Sequence, residues 1–210
     1  MTSEPRTVAL PRGASVVPER DGREPVDERS DNGAVPASAE AAGGMLIEVA
    51  PHHCFACGAL NEHGIHLDLH VDGDQCWTEL ALPERFQGWD GIAHGGIVCT
   101  ILDEVMAWSL AATDNWGLTA RMQVAFRRPV RLGVPIRAEG RLTAGRRRVL
   151  ETAARIVDPA TGNVLATATA TYVAAGAERK RELQARYRFR LTAASGNRAT
   201  GPSGPSGVRS

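Results

Sequence analysis

The sequence predicts an α+β domain in which an antiparallel sheet wraps one long, buried helix. Three features lead there. From Gly95 to about Ala112 the chain is apolar on most helical faces and carries no proline and, after the opening Gly95-Gly96, no glycine. Segments before and after that stretch alternate apolar and polar residues, the period of half-buried strands. Turn residues such as Asp72-Gly73-Asp74 and Pro159-Ala160-Thr161-Gly162 separate them as hairpin loops would.

The elements follow in order. Ile65-His66-Leu67-Asp68-Leu69-His70-Val71 alternates and predicts a strand, and Cys76–Leu82 predicts its hairpin partner. Pro83 ends that pair, and residues 83–94 form a loop holding Phe86, Trp89 and the glycines Gly88 and Gly91. The helix follows, with Val98, Ile101, Leu102, Val105, Ala107, Trp108 and Ala111 as its core positions. Four further strands are predicted at Leu118–Phe126, Pro135–Thr143, Val149–Asp158 and Asn163–Ala174. In the last of these, Thr167, Thr169 and Thr171 point away from the helix or toward a partner sheet. The charged segment Glu178–Arg188 predicts a surface helix.

Both ends differ from this domain in composition. Residues 1–44 are rich in Pro, Glu, Arg, Asp, Ser, Gly and Ala without an apolar period, and residues 190–210 end in Gly-Pro-Ser repeats. Both are expected to be disordered tails flanking a domain at 45–189. Lys plus Arg and Asp plus Glu number 24 each, so no net field favours nucleic acid or an anionic membrane surface. The first residues lack the apolar core of a secretory signal, so a cytoplasmic protein is expected. Four scattered cysteines are too few for a disulfide scaffold of this length, and reduced thiols are expected.

The segment Trp89–Glu104 concentrates the chemistry. A Gly-rich turn, His94-Gly95-Gly96, opens the apolar helix, and bare backbone N–H groups at a helix start suit an anion or a polarised carbonyl. Asp103 and Glu104 lie farther along the same helix, where a carboxylate is costly without a partner or a task. An oxyanion donor at Gly95 and a water-activating acid at Asp103 together make an acyl-transfer site. They are eight residues apart, however, which is about 12 Å along a helix and too far for one carbonyl to bridge. Two antiparallel helices related by a twofold axis would bring Asp103 of one chain beside Gly95 of the other, so a homodimer with composite sites is expected.

Glu104 competes with Asp103 for the acid role, although adjacent helical residues point about 100° apart and only one can face the cleft. Asp103 could also be a buried acid paired with Arg121 or Thr119 for structure. His94 could serve as a base or could fix the turn by hydrogen bonding. Arg146, Arg147 and Arg148 sit on a hairpin tip, where they either grip phosphates or form a solvated turn. Trp89 and Trp108 either wall an acyl pocket or belong to the core. Cys54-x-x-Cys57 is a possible zinc half-site, but no second half follows at zinc spacing, and His63 and His66 are too close together to supply one. A tight turn is expected there, with no metal and no cofactor.

Cys54-x-x-Cys57-Gly58-x-x-Asn61-x-x-Gly64, Phe86-x-Gly88-Trp89-x-Gly91-Ile92-x-His94-Gly95-Gly96, Leu102-Asp103-Glu104, Phe126-x-Arg128-Pro129 and Gly145-Arg146-Arg147 together resemble the PaaI-like branch of the hot-dog thioesterases, across roughly residues 52–174. The resemblance implies a hot-dog fold, hydrolysis of acyl-CoA and a homodimer joined sheet edge to sheet edge, often paired again into a tetramer. It implies that Gly95 N–H holds the thioester carbonyl, that His94 shapes the turn and the thiol end, and that Asp103 is general base or nucleophile. Thr119 matches a Ser/Thr position that orients water, and the match at Gly145-Arg146-Arg147 favours CoA as the ligand of the arginines. Several relatives carry Asn where this chain has Gly88, which leaves the second ligand of the lytic water unassigned.

Overall fold

The computed structural model describes residues 45–193; the predicted tails at 1–44 and beyond Ala193 lie outside the described residues. In chain order the elements are β1 (Met45–Glu48), β2 (His70–Asp72), β3 (Gln75–Ala81), a single 3-10 turn (Glu84–Phe86), β4 (Gln87–Trp89), β5 (Ile92–Ala93) and α1 (Gly95–Ala112). After α1 come β6 (Gly117–Phe126), β7 (Pro135–Arg146), β8 (Val149–Val157), β9 (Val164–Ala174), α2 (Ala177–Tyr187) and β10 (Arg190–Ala193). Eight strands form one antiparallel sheet in the order β10-β1-β2-β3-β7-β8-β9-β6, and β4 pairs with β5 in a small separate ribbon.

The sheet curls around α1 because its inward positions match the helix in size. Along β9 the inward residues are Ala166, Ala168, Ala170 and Tyr172, all buried, so three small side chains let the helix approach and one large one closes the end. On β7 the approach is closer still: a Cβ at Gly140 would lie 2.6 Å from the Val105 carbonyl carbon. The helix in turn buries Val98, Ile101, Leu102, Val105, Met106 and Leu110. By length and composition alone α1 could cross a bilayer, yet here it is the core of the domain.

Three expectations change. The strand predicted at Ile65–Val71 shrinks to His70–Asp72. Ile65, Leu67, Leu69 and Val71 are buried as the alternation requires. But His66 adopts φ +59°, and the backbone of Ile65 and Leu67 bonds to Phe55 and Ala56 in the cysteine turn instead of a neighbouring strand. The expected domain end at residue 189 moves outward, since Arg190–Ala193 forms β10 and pairs with β1. The short β1 and the β4–β5 ribbon, too brief for a readable period, were not predicted. The predicted surface helix is present as α2, which buries no side chain and is tied to the domain by Lys180 and Asp114 at 2.6 Å.

Candidate active site

The helix start is built by His94. Its φ of −62° and ψ of 135° make it the residue that caps α1, and its Nδ1 accepts the Gly96 N–H at 3.0 Å. The amides of Ile97 and Val98 both turn back to the His94 carbonyl, at 2.9 and 3.3 Å. Among the described residues the Gly95 N–H has no partner, so it is the free donor of the first turn. Gly95 itself lines a groove of about 310 Å³ with Ile92, Val98, Phe126, Arg128 and Val130. Of the two roles open to His94, the structure shows the capping one. In a neutral ring that accepts at Nδ1 the proton sits on Nε2, which leaves no free lone pair for a base.

Asp103 lies two turns farther along α1 and faces β6 and β9. Thr119 Oγ1 donates to Asp103 Oδ1 at 2.8 Å, and the Tyr172 hydroxyl donates to the same oxygen at 2.7 Å. Thr119 and Tyr172 are direct cross-strand partners, which is why both reach one carboxylate oxygen. A β-bulge between Thr119 and Arg121 re-aims the strand at this point. The second oxygen, Oδ2, has no partner among the described residues. Tyr172 is 1% exposed, and burial together with the Asp103 charge pushes its hydroxyl well above the ordinary value, so it remains a donor. Tyr172 was not singled out from the sequence; its place at the end of an alternating Ala/Thr run was the available signal.

Glu104 turns away from this group, as the 100° step of a helix requires. It accepts the Trp108 Nε1–H at 2.8 Å and lies 4.0 Å from the Cys54 sulfur, with its carboxyl pushed up to about 7 by burial. Asp103 and Glu104 are therefore assigned to different environments. Trp108 is buried against Trp116 and Phe189, whereas Trp89 is 83% exposed, so the two do not wall a common pocket.

Arg146, Arg147 and Arg148 form the exposed β7–β8 turn, with Arg147 at φ +57°. None of the three pairs with a carboxylate among the described residues. Register places them at the Asp103 end of the sheet: Thr119 opposes Tyr172, Tyr172 opposes Leu150, and Leu150 opposes Gly145. Three strand spacings, about 14 Å, separate the Thr119 edge from that turn. Gly88 is packed against the active turn, because a Cβ there would lie 2.9 Å from His94 Cα. An Asn at this position would have to displace His94.

Residues 90–165 match the family model described as the thioesterase superfamily. Among solved structures, a thioesterase superfamily protein aligns with a TM-score of 0.55 and 25% identity over 58% of this chain and 60% of its own. The match therefore spans less than two thirds of that relative. Zebrafish thioesterase superfamily member 2 aligns at TM-score 0.51 and 15% identity, over 55% of this chain and 89% of its own. A Streptococcus mutans protein solved with acetyl CoA aligns at 0.50 and 18%, over 57% and 98% respectively. No curated protein sequence matches the chain. With its antiparallel sheet around one central helix the chain has the hot-dog fold, and the stretch that matches the thioesterase superfamily model, residues 90–165, holds the His94 turn, Asp103 and the arginine tip.

Proposed function

We propose that two copies of this chain hydrolyse acyl-CoA thioesters in sites that each draw on both protomers. The observation that carries this reading is a pair of uncommitted groups: the Asp103 carboxylate, anchored through Oδ1 alone, and the Gly95 N–H at the start of the same helix. A carboxylate held by one oxygen presents the other to a water molecule. A lone amide at a helix N-terminus, helped by the helix dipole, stabilises an oxyanion.

The two groups are about 12 Å apart along α1, so Asp103 of one chain works with Gly95 of its mate. The free edge of the eight-stranded sheet supports that pairing. β6 ends the sheet, and its Leu118 and Phe126 are 80% and 57% exposed. A ten-residue unpaired edge calls for a covering strand, and a twofold copy of β6 supplies one.

In the reaction, Asp103 Oδ2 takes a proton from water as its oxygen attacks the thioester carbon. The carbonyl oxygen, now negative, is held by the partner's Gly95 N–H. Collapse of the intermediate expels the CoA thiolate and leaves the free acid. The apolar groove beside Gly95 suits the acyl chain, and the arginine tip suits the phosphates of CoA.

Subunit complementation tests the composite site. Asp103→Asn and Gly95→Pro are each expected to be inactive as homodimers. Randomly mixed and reassociated, they regain about a quarter of wild-type turnover, because half the dimers are mixed and each has one intact site. Mixtures that remain inactive, while each variant is folded and dimeric, would overturn the shared site. Loss of free-thiol release from every acyl-CoA offered to the wild type would overturn the enzyme reading. It would favour a non-catalytic acyl-CoA binding module, to which the packed Gly88 and its missing water ligand lend support.

A further inference from the structure

The turn at Cys54 and Cys57 is unused by the chemistry above, and the fold gives it a third donor. The Sγ atoms of Cys54 and Cys57 and a carboxylate oxygen of Glu104 all lie within 4.8 Å of one another. Cys54 Sγ is 4.0 Å from both Glu104 oxygens. The spacing that argued against metal along the chain fails here for a simple reason: the third donor comes from the middle of α1, 50 residues after Cys54.

We infer that Cys54, Cys57 and Glu104 form a binding site for a thiophilic divalent cation, zinc above all. A tetrahedral site with metal–ligand distances of about 2.0–2.3 Å sets its donors about 3.5 Å apart, so these groups need close by only a few tenths of an ångström to about one. Two thiolates and a carboxylate suit zinc better than calcium or magnesium, which take oxygen alone.

The surroundings are arranged as an outer shell would be. The backbone amides of Ala56 and Cys57 lie within hydrogen-bond reach of the Cys54 sulfur, as amides around a metal-bound thiolate do. His52, 4% exposed, accepts the Cys54 N–H on Nδ1 at 3.2 Å. In a neutral ring that places a proton on Nε2, which lies 3.9 Å from Cys57 Sγ and can donate to a thiolate there. Trp108 Nε1–H holds one Glu104 oxygen at 2.8 Å and fixes the carboxylate's direction. Gly58 is required by the turn, since a Cβ there would come within 2.4 Å of the Cys54 nitrogen.

Charge points the same way. Two thiols and a carboxyl group face one another in a partly buried pocket, and no lysine or arginine pairs with Glu104 among the described residues. A cavity of about 350 Å³ reaches His52, Cys57 and Trp108 and can supply a water as fourth ligand. The metal staples the 52–58 turn to α1 one residue from Asp103, about 100° around the helix from the carboxylate of the proposed reaction.

The test uses the full chain, purified under reducing conditions without a histidine tag. Elemental analysis is expected to find about one zinc per chain, and X-ray absorption two sulfur and two lighter donors. Cobalt added to the stripped protein gives a thiolate charge-transfer band and the intense visible bands of tetrahedral cobalt. Cys54→Ser with Cys57→Ser abolishes both signals, and His52→Ala weakens zinc binding by about 10- to 100-fold while keeping the two-sulfur signature. Glu104→Gln, read by competition with a chelator, weakens it further than His52→Ala does. A reduced, folded protein that takes up neither metal overturns the proposal. So does uptake that survives the double cysteine variant, or recovery of Cys54 and Cys57 as a disulfide that zinc and reductant together do not replace.

Discussion

Tyr172 donates its hydroxyl proton to Asp103 Oδ1 at 2.7 Å from β9, sixty-nine residues away in sequence. The same hydroxyl lies 3.1 Å from the Asp103 backbone oxygen, the longer arm of a bifurcated bond, so its one proton is shared between the side chain and the helix backbone that carries it. Removing only that oxygen, by Tyr172→Phe, leaves the ring in the core and the carboxylate with Thr119 as its sole donor. A hydrogen bond to a charged group contributes about 1.5–3 kcal/mol, so kcat is expected to fall about 10- to 100-fold. KM for acyl-CoA should hardly move, because the tyrosine touches no substrate. Steady-state kinetics separate the two constants, and a change confined to KM would remove the positioning role.

Gly95→Pro deletes one hydrogen atom from the proposed chemistry. Proline is well tolerated at the first residue of a helix, and His94, at φ −62° and ψ 135°, already has the extended backbone that a following proline demands. Space is also available: a Cβ at Gly95 meets only the Phe126 ring, at 3.5 Å. The variant should therefore unfold within a few degrees of the wild type and lose about 100- to 1,000-fold in kcat, as loss of an oxyanion donor does. Gly95→Ala is the control. It keeps the amide and should retain most of the activity, so an equal loss in both would point to crowding and away from the donor.

The helix and the long strands were legible in the sequence because each runs far enough for its period to show. Gly95–Ala112 matches the helix end to end, and the four strands after it are displaced by only a few residues at their ends. His94, Gly95 and Asp103 could be picked out as candidates as well, because a glycine turn and an acid on an apolar helix are local features. Tyr172 and Glu104's partners were not. Tyr172 meets Asp103 through the register of β6 with β9, and Cys54 meets Glu104 through the docking of a loop on α1. Neither contact has a trace in spacing along the chain. The Ile65–Val71 run shows the opposite failure: its burial alternates as in a strand, but its hydrogen bonds go to a turn that sequence alone could not bring alongside.

The arginine tip gives a prediction that separates recognition of CoA from recognition of the acyl group. Arg146, Arg147 and Arg148 stand about 14 Å across the sheet from the Thr119 edge, and they are exposed and free of carboxylates among the described residues. Replacing all three with Ala should raise KM for acyl-CoA by about tenfold and flatten its dependence on salt, with kcat kept. For the same acyl group carried on pantetheine, which lacks the nucleotide, KM should be unchanged. An equal rise for both substrates would show that the turn acts on the fold and not on the phosphates.

Glu139 offers a test of stability on the outer face of the sheet, clear of both sites. Its carboxylate bonds Arg137 at 2.7 Å and Arg155 at 2.8 Å, and Arg137 also reaches Glu79 at 2.8 Å and lies 4.0 Å over the Trp77 ring. These residues are cross-strand neighbours on β3, β7 and β8, so the cluster ties three strands of the sheet together. Burial alone would raise the Glu139 carboxyl, but the two guanidiniums outweigh it and hold the group below its ordinary value of 4.5. A carboxyl whose folded value is depressed adds stability that is complete above pH 4.5 and is lost as the pH falls through the lower folded value. Glu139→Gln should therefore cost about 2 kcal/mol near neutral pH, read as a lower urea midpoint, and progressively less as the pH falls below 4.5. If the wild type and the variant lost stability in parallel on acidification, the cluster would not be the origin of the acid sensitivity.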